Sequence, residues 1–357
     1  MAMRSNAIEI DAMGARGLQR GCGKSGLVSL VAAALLSISG MAPAQTILKM
    51  STTLPPNNPV VGDFFEPWAK KVNVAAGSEF QIQVINGPTI ANATNVWDRT
   101  ASGVVEIGFG ILGAVSRPFP KSTIIGLPLL VEENQLAAAS VSLWRLYSSG
   151  LTTDEFKDVK PIALFGTPVQ GISSKQPIRR LEDMKGLKVR AADKTVADVV
   201  TALGGAPISV PAIEVYQALS QGVVGASVAG FVLVTAFKLT EVVKNHLEGL
   251  PLGAPAGFIV MNPQAYEKLS PKGKEILNQF IGETLSREFG TYFMNEGIRN
   301  KESVRKMPDH TFFPLTGAEK TRWEQAAQPV IRQWSSSTPN GEKILGAFRA
   351  EIQKGGK

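Results

Sequence analysis

Residues 181–229 decide the fold class, and they read LEDMKGLKVRAADKTVADVVTALGGAPISVPAIEVYQALSQGVVGASVA. A short apolar strand, 186–189, ends at Arg190, and the pattern then predicts a helix, a second strand and a second helix. An arginine at such a strand end faces the crevice of an α/β sheet, where ligands bind. Its guanidinium matches a carboxylate in two parallel hydrogen bonds, so the stretch predicts a receptor for an organic acid.

Strand and helix patterns alternate on both sides of this stretch. The predicted strands are 47–51, 80–85, 104–109, 160–166 and 171–174, and the predicted helices are 57–75, 92–102, 136–147 and 318–334. This order is typical of an α/β fold with mostly parallel sheets.

Residues 271–306 have the pattern of one long helix. Ser270 suits the N-cap, Pro271 suits the first helical position, and apolar residues recur at helical spacing. Such a helix would be roughly 50 Å long, which exceeds one small domain. The alternative is two shorter helices broken at Gly282 or Gly290.

The first 44 residues have the form of a cleavable secretory signal. Basic residues precede the mostly apolar run 27–41, and Ala42-Pro43-Ala44 provides small residues for cleavage. The run is short for a membrane span, although an uncleaved anchor is the alternative. The only cysteine, Cys22, lies before the run, so the mature chain is expected to have no disulfide and no cysteine metal ligand.

The charge of the chain is mildly positive. Residues 1–44 carry four basic and two acidic side chains, so without them the formal net charge falls from +7 to +5. No basic stripe is present, which argues against nucleic-acid binding, although the balance favours anionic ligands.

Four pieces of the central stretch carry a family resemblance. Asp183–Arg190, 203–207, 214–219 and 221–224 together resemble the substrate-binding proteins of tripartite ATP-independent periplasmic (TRAP) transporters. The resemblance implies a periplasmic, non-enzymatic receptor without cofactor or metal. It also implies a two-part membrane permease as partner, and a mature chain that is not inserted in the membrane. The implied fold has two α/β lobes, 45–167 plus 256–295 (lobe I) and 168–255 plus 296–357 (lobe II). Their mixed sheets are flanked by helices, and a long helix spans both lobes.

The same resemblance implies that Arg190 holds the carboxylate of the ligand. From the residues alone, a surface arginine paired with Asp183 or Asp193 is the alternative. Many relatives carry a second arginine where this chain has Gln170, which donates a hydrogen bond but brings no charge. The family asparagine that supports the carboxylate is replaced by Ala229.

The remaining expected lining positions are largely apolar. They are Thr53, Gly110, Ile111, Phe165, Ala212 and Phe231. Gln170 and Thr53 are expected to assist Arg190 by hydrogen bonding to the ligand. One fixed positive charge in an apolar wall predicts a monocarboxylate with an apolar or aromatic body. A C4-dicarboxylate or a sugar acid is the alternative, with polar contacts from side chains outside this set.

Two further patterns have competing interpretations. Residues 108–113 match G-x-G-x-x-G after a strand, as in a dinucleotide-dependent oxidoreductase, but Pro118 and Pro120 interrupt the helix that would follow. His246 and His310 are 64 residues apart without a ligand motif, so structural hydrogen bonding is expected of them. A receptor for another transporter class and a sensory receptor also remain open.

Overall fold

The computed structural model describes residues 45–115 and 117–355, and it contains two sheets that form separate lobes. The predicted signal segment lies outside the described residues. The lobe I sheet has five strands in the order β2-β1-β3-β10-β4. These strands are β1 (Thr46–Ser51), β2 (Phe80–Ile85), β3 (Ile107–Ile111), β4 (Lys160–Gly166) and β10 (Ala256–Met261).

The lobe II sheet has six strands in the order β11-β9-β5-β8-β6-β7. They are β5 (Gly171–Ser174), β6 (Lys188–Ala191), β7 (Ala206–Ser209), β8 (Ala226–Ala229), β9 (Asn245–Glu248) and β11 (Thr311–Pro314). β6 pairs in parallel with both β7 and β8, as its βαβ sequence pattern requires. Both sheets are mixed, because β5 and β10 run antiparallel to their neighbours. This confirms the mixed sheets that the family resemblance implies, whereas the order of strands and helices alone predicted mostly parallel sheets.

Helices flank both sheets. In chain order they are α1 (Glu66–Ala76), α2 (Val96–Ala101), α3 (Leu136–Ser148), α4 (Lys194–Ala202), α5 (Val215–Ser220), α6 (Phe231–Ala236), α7 (Pro263–Glu267), α8 (Pro271–Asn278), α9 (Glu283–Arg305), α10 (Gly317–Ser337) and α11 (Gly341–Gly355). Pro329 does not end α10, which continues to Ser337. α11 packs against α3 of lobe I, although it belongs to the segment 296–357 expected in lobe II. The lobe boundaries otherwise remain a prediction.

Two segments cross between the lobes side by side. One joins β4 to β5 and the other joins β9 to β10, and they share hydrogen bonds from Thr167 N to Pro255 O and from Gln170 N to Gly253 O, each 2.9 Å. Gly253 has a φ of +85°, and a Cβ there would lie 2.1 Å from the Gly126 carbonyl oxygen. Only glycine fits this crossing, which is where a hinge between the lobes is expected.

The long helix is shorter than the sequence predicts. α8 ends at Asn278 and α9 begins at Glu283, because Gly282 takes a φ of +77° that a helix cannot contain. The Gly282 amide instead donates to the Ile162 carbonyl of β4. The alternative with a break at Gly282 is therefore correct. α9 still contacts both lobes, since it packs against α3 and β4 on one side and α6 on the other.

An aromatic cluster fills the core of lobe I beneath α9. The Phe289 ring stacks on Phe165 at 4.3 Å between centroids, and Phe109 and Phe293 surround the same pair. Close packing of this kind explains the first two glycines of the G-x-G-x-x-G match. A Cβ at Gly108 would lie 2.3 Å from Thr100 Oγ1, and one at Gly110 would lie 2.5 Å from Phe258 Cζ. A single 3-10 turn, Leu112–Ala114, follows β3.

The first helix and the third strand also differ from prediction. A π-helical turn, Val61–Phe65, precedes α1, and the third strand starts at Ile107 rather than at Val104. Pro67 stands in the first turn of α1, where its missing amide is tolerated. Among the described residues, no helix has the length and apolar character needed to cross a membrane.

Candidate functional site

Arg190 lies inside lobe II, on the central strand β6 of the βαβ unit. Its side chain is 3% exposed. Nε donates to the Val210 carbonyl at 3.0 Å and Nη1 donates to the Val228 carbonyl at 3.3 Å. Both carbonyls lie at the carboxyl end of the parallel strands, so the guanidinium is held at the sheet edge where ligands bind.

No carboxylate of the described residues lies within 4 Å of the Arg190 guanidinium, which therefore has no ion-pair partner in this part of the chain. Asp183 accepts instead from the Arg179 and Arg180 amides, and Asp193 caps α4 by accepting from Val196 N. The alternative of a paired surface arginine is thus wrong. Burial lowers the pKa of Arg190, and the Asp193 charge acts in the opposite direction. The guanidinium stays charged, because its ordinary pKa is so high.

A cavity of about 610 Å³ lies between the lobes. Its wall comes from the segment after β3, the crossing segments, the first turn of α4 and the carboxyl half of α10. Ile111 and Gln170 line it, whereas Arg190 does not. Asp193, three residues after Arg190, also lines the cavity, and a Cβ at Gly113 of lobe I would lie 3.8 Å from Asp193 Cβ.

Three further predicted positions lie at the Arg190 edge of the lobe II sheet. Ala229 is buried at the end of β8 and pairs with Gly171, the neighbour of Gln170. Phe231 begins α6 and borders a second, smaller cavity of about 80 Å³ together with Gln170. Ala212 opens a 3-10 turn shortly after Val210. The structure therefore brings Arg190, Gln170 and Ala229 to one sheet edge.

Thr53, Gly110 and Ile111 lie at the facing edge of the lobe I sheet. Thr53 follows β1 and has a φ of +57°, a left-handed conformation that is uncommon for a non-glycine residue. Ile111 ends β3 and reaches the cavity, whereas the side-chain direction at Gly110 points into the core. Phe165 is wholly buried in the aromatic cluster beneath α9. Ligand contact by these residues stays a prediction.

The cavity wall contains residues that the sequence patterns did not single out. Arg117 and Phe119 come from the segment after β3, and Trp334 comes from α10. Trp334 Nε1 donates to the Pro120 carbonyl at 2.8 Å, which closes this side of the cavity with a residue 214 positions away. Such distant pairing leaves no local signal; only the Arg117-Pro118-Phe119-Pro120 turn composition is unusual.

The two histidines form a buried pair rather than separate structural contacts. His246 Nε2 and His310 Nδ1 are 2.9 Å apart, and His246 Nδ1 is 2.9 Å from Ser173 Oγ. Burial, followed by the proximity of His310, lowers the pKa of His246 to about 3. Within residues 45–115 and 117–355, no cluster of three or more His, Cys, Asp or Glu side chains is arranged to hold a metal ion.

Two α/β lobes, two crossing segments and a cleft between them define a two-lobed solute-binding protein. The chain belongs to the bacterial extracellular solute-binding protein family 7 (DctP), whose sequence profile matches residues 50–337. This is the TRAP family of periplasmic solute-binding proteins, whose members bind substrates for transport and are not enzymes.

Similar proteins extend over most of the chain. The outer membrane transporter protein TsaT of Comamonas testosteroni is 25% identical over 330 residues, which cover 89% of this chain and 95% of that protein. A marine metagenome TRAP solute-binding protein specific for aromatic acid ligands, solved with 3-hydroxybenzoate, has a TM-score of 0.79 at 23% identity. The match covers 87% of this chain and 98% of that one. A Rhodoferax ferrireducens TRAP solute-binding protein, solved with copurified benzoate, gives 0.78 at 23% identity with the same coverages. At these identities, the structural likeness shows the fold.

Proposed function

We propose that this protein is a periplasmic receptor for an apolar or aromatic monocarboxylate, which it delivers to a TRAP-type membrane permease. The observation that carries the proposal is Arg190: a buried cation at the ligand edge of its sheet, with two neutral carbonyls and no anion as partners. A charge-assisted pair with a ligand carboxylate would contribute about 1.5–3 kcal/mol. Delivery to a permease is the role that family membership suggests.

The apolar side chains of the cleft wall support an apolar or aromatic body for the ligand. Ile111, Leu112, Val115, Phe119, Leu127 and Val330 line the cavity. Burying about 150 Å² of aromatic surface at roughly 25 cal/mol per Å² stabilises the complex by about 4 kcal/mol. With the arginine pair, this approaches the roughly 8 kcal/mol that a micromolar dissociation constant requires. The aromatic acids bound by the two structural relatives are consistent with this class.

A thermal-shift screen tests the ligand class. The panel contains aromatic monocarboxylates, branched-chain keto acids, C4-dicarboxylates and sugar acids. A micromolar ligand at millimolar concentration should stabilise the protein by about 4 kcal/mol, and we expect aromatic monocarboxylates to do so. Stabilisation by dicarboxylates or sugar acids alone would instead support the polar-ligand alternative, and nicotinamide fluorescence from the purified protein would support an oxidoreductase.

The anchor role of Arg190 is tested with Arg190→Met and a matched control. The control Arg179→Met also removes one positive charge from lobe II. The Arg179 side chain is exposed and stacks on Phe313 at 5.1 Å. Calorimetry should show a roughly 10- to 150-fold loss of acid affinity in Arg190→Met, the equivalent of about 1.5–3 kcal/mol, and less than a 2-fold change in the control. Normal binding by Arg190→Met would refute the anchor role.

A further inference from the structure

The interlobe cavity is larger than a single-ring acid needs. Its volume is about 610 Å³, whereas a cavity of roughly 150 Å³ is enough for benzene. It extends from Gln170 and Ile111, beside the Arg190 edge, to Arg117, Phe119 and Trp334. A ligand that extends from the Arg190 edge into this cavity has room for a longer body, and Arg117 is one of the residues that line it.

Arg117 is held in a fixed orientation. Its guanidinium carbon lies 5.0 Å above the Trp97 ring and 5.8 Å from the Phe119 ring. Trp97 is buried, so the ring on which the guanidinium stacks is held in place by packing. Nη1 also donates to Asp158 Oδ2 at 2.8 Å. A stacked, singly paired guanidinium keeps several of its five N–H donors for another acceptor.

The charges along this wall determine which acceptor fits. Asp158 neutralises Arg117, and Asp198 pairs with Lys194 at 2.6 Å on the opposite wall. Asp193 also lines the cavity and is not in an ion pair within 4 Å among the described residues. A second carboxylate would meet this negative charge, whereas a hydroxyl or carbonyl oxygen accepts a hydrogen bond without adding charge.

We propose that Arg117 is a specificity-determining residue that donates a hydrogen bond to a neutral oxygen at the far end of the ligand. The inference rests on the proposed acid-binding function and narrows its substrate class. The preferred ligands are monocarboxylates with an aromatic or extended body and a distal hydroxyl or carbonyl group.

Calorimetry on wild type and Arg117→Met tests this inference. The probes are benzoate, phenylacetate and cinnamate, each with its para-hydroxy counterpart, so that three body lengths are sampled. At the length that fits, the hydroxyl should improve wild-type affinity about 10-fold, which corresponds to about 1.4 kcal/mol. In Arg117→Met the improvement should vanish, while affinity for the unsubstituted acid changes less than 2-fold. Methionine retains an apolar stem over Trp97, and the side chain of Arg117 is one-third exposed, so the fold should tolerate it.

Two further variants complete the test. Arg117→Gln removes the charge but keeps side-chain N–H donors, so it separates hydrogen bonding from charge and should retain part of the hydroxyl preference. Arg179→Met removes another ring-stacked arginine outside the cavity and should retain the full preference. A hydroxyl preference that survives in Arg117→Met, or an equal loss for both members of each pair, would contradict the role of Arg117 alone. A wild-type protein that binds none of these acids, nor others of the thermal-shift panel, would contradict the proposed function itself.

Discussion

Buried charge is satisfied within lobe I but left open in lobe II. In lobe I, Lys121 pairs with Asp154 at 2.8 Å, and Glu155 accepts from the backbone amides of Lys121 and Ser122 at 2.7 and 2.9 Å. In lobe II, Arg190 is at least as deeply buried and meets two neutral carbonyls. An uncompensated buried charge costs roughly 3–5 kcal/mol. The buried charges of lobe I thus have partners within the lobe, whereas Arg190 of lobe II has only neutral partners among the described residues, as the proposed anion-binding role requires.

Removing one buried charge from each lobe should give the largest difference in stability between the lobes. Glu155→Leu should lower the free energy of unfolding by about 2–4 kcal/mol, because two buried amides lose their acceptor. Arg190→Met in the ligand-free protein should cost less than about 1 kcal/mol, since an apolar side chain replaces an unpaired cation. Urea denaturation of both variants measures the difference. The cost of Glu155→Gln, which keeps an acceptor oxygen, should fall between the costs of these two variants. Equal costs for Glu155→Leu and Arg190→Met would contradict the difference between the lobes.

A second prediction concerns His246, a histidine that is buried in lobe II. The folded pKa of His246 is about 3, below its ordinary value near 6.5, so the unfolded chain binds a proton that the folded protein refuses. This contribution to stability is complete above about pH 6.5 and is lost as the pH falls toward 3. At pH 4.5 the loss should be about 2–3 kcal/mol. His310, Lys244, Glu248 and Arg305 are the charged or titratable neighbours that act on it.

The variant His246→Phe isolates that effect, because phenylalanine preserves the packing against Phe231 and Phe312. Carboxylates with lowered pKa values elsewhere in the chain also reduce the free energy of unfolding over this pH range. They do so equally in wild type and variant, so their effect cancels in the difference. The stability gap between wild type and variant should therefore narrow by about 2 kcal/mol between pH 7 and pH 4.5. A gap that is independent of pH would show that His246 is not held neutral.

The smallest expected effect is at the crossing between the lobes. Lys301 of α9 pairs with Glu133 of lobe I at 3.1 Å and with Glu248 of lobe II at 3.2 Å, and Arg305 also pairs with Glu248. Burial acts to lower the pKa of Lys301, but the two carboxylates leave it raised. Lys301→Met should lower the free energy of unfolding by about 1–2 kcal/mol.

An exposed pair provides the control for this effect. Lys71 pairs with Glu288 at 3.5 Å, and their side chains are 59% and 40% exposed, so Lys71→Met should cost no more than about 0.5 kcal/mol. Denaturation at low and high salt checks the contrast, since salt screens the exposed pair more strongly. Identical costs and identical salt dependence for Lys301→Met and Lys71→Met would show that the ion pairs at the crossing stabilise the fold no more than an exposed pair does.

Local patterns predicted much of the fold. The bounds of β2, β4 and β5 match the predicted ones, because period-two alternation or short apolar runs mark these strands clearly. The break at Gly282 did not show in the pattern, since apolar spacing continues across it and the cause is a distant contact with Ile162. α11 was not predicted at all. The position of Arg190 on a strand of the βαβ unit was predictable, because the strand, its helix and its arginine are contiguous in sequence, whereas its contact with a ligand stays a prediction.

The walls of the cleft could not be read in the same way. Arg117 reaches Trp97 and Asp158, and Trp334 reaches Pro120, only through tertiary packing of separate segments. The histidine pair likewise depends on the parallel pairing of β9 with β11, which sets His246 beside Phe312. Contacts between residues 20 to 214 positions apart carry no local periodicity. Sequence reasoning therefore predicted an apolar pocket with one cation and missed Arg117 in the cavity wall.

The most direct test of the account is a crystal structure of the protein with a bound aromatic monocarboxylate, chosen as the strongest stabiliser in the screen. We predict both carboxylate oxygens within about 2.7–2.9 Å of Arg190 nitrogens, with the ring against the apolar wall near Ile111. A carboxylate bound elsewhere, with Arg190 still donating only to Val210 and Val228, would contradict the central claim.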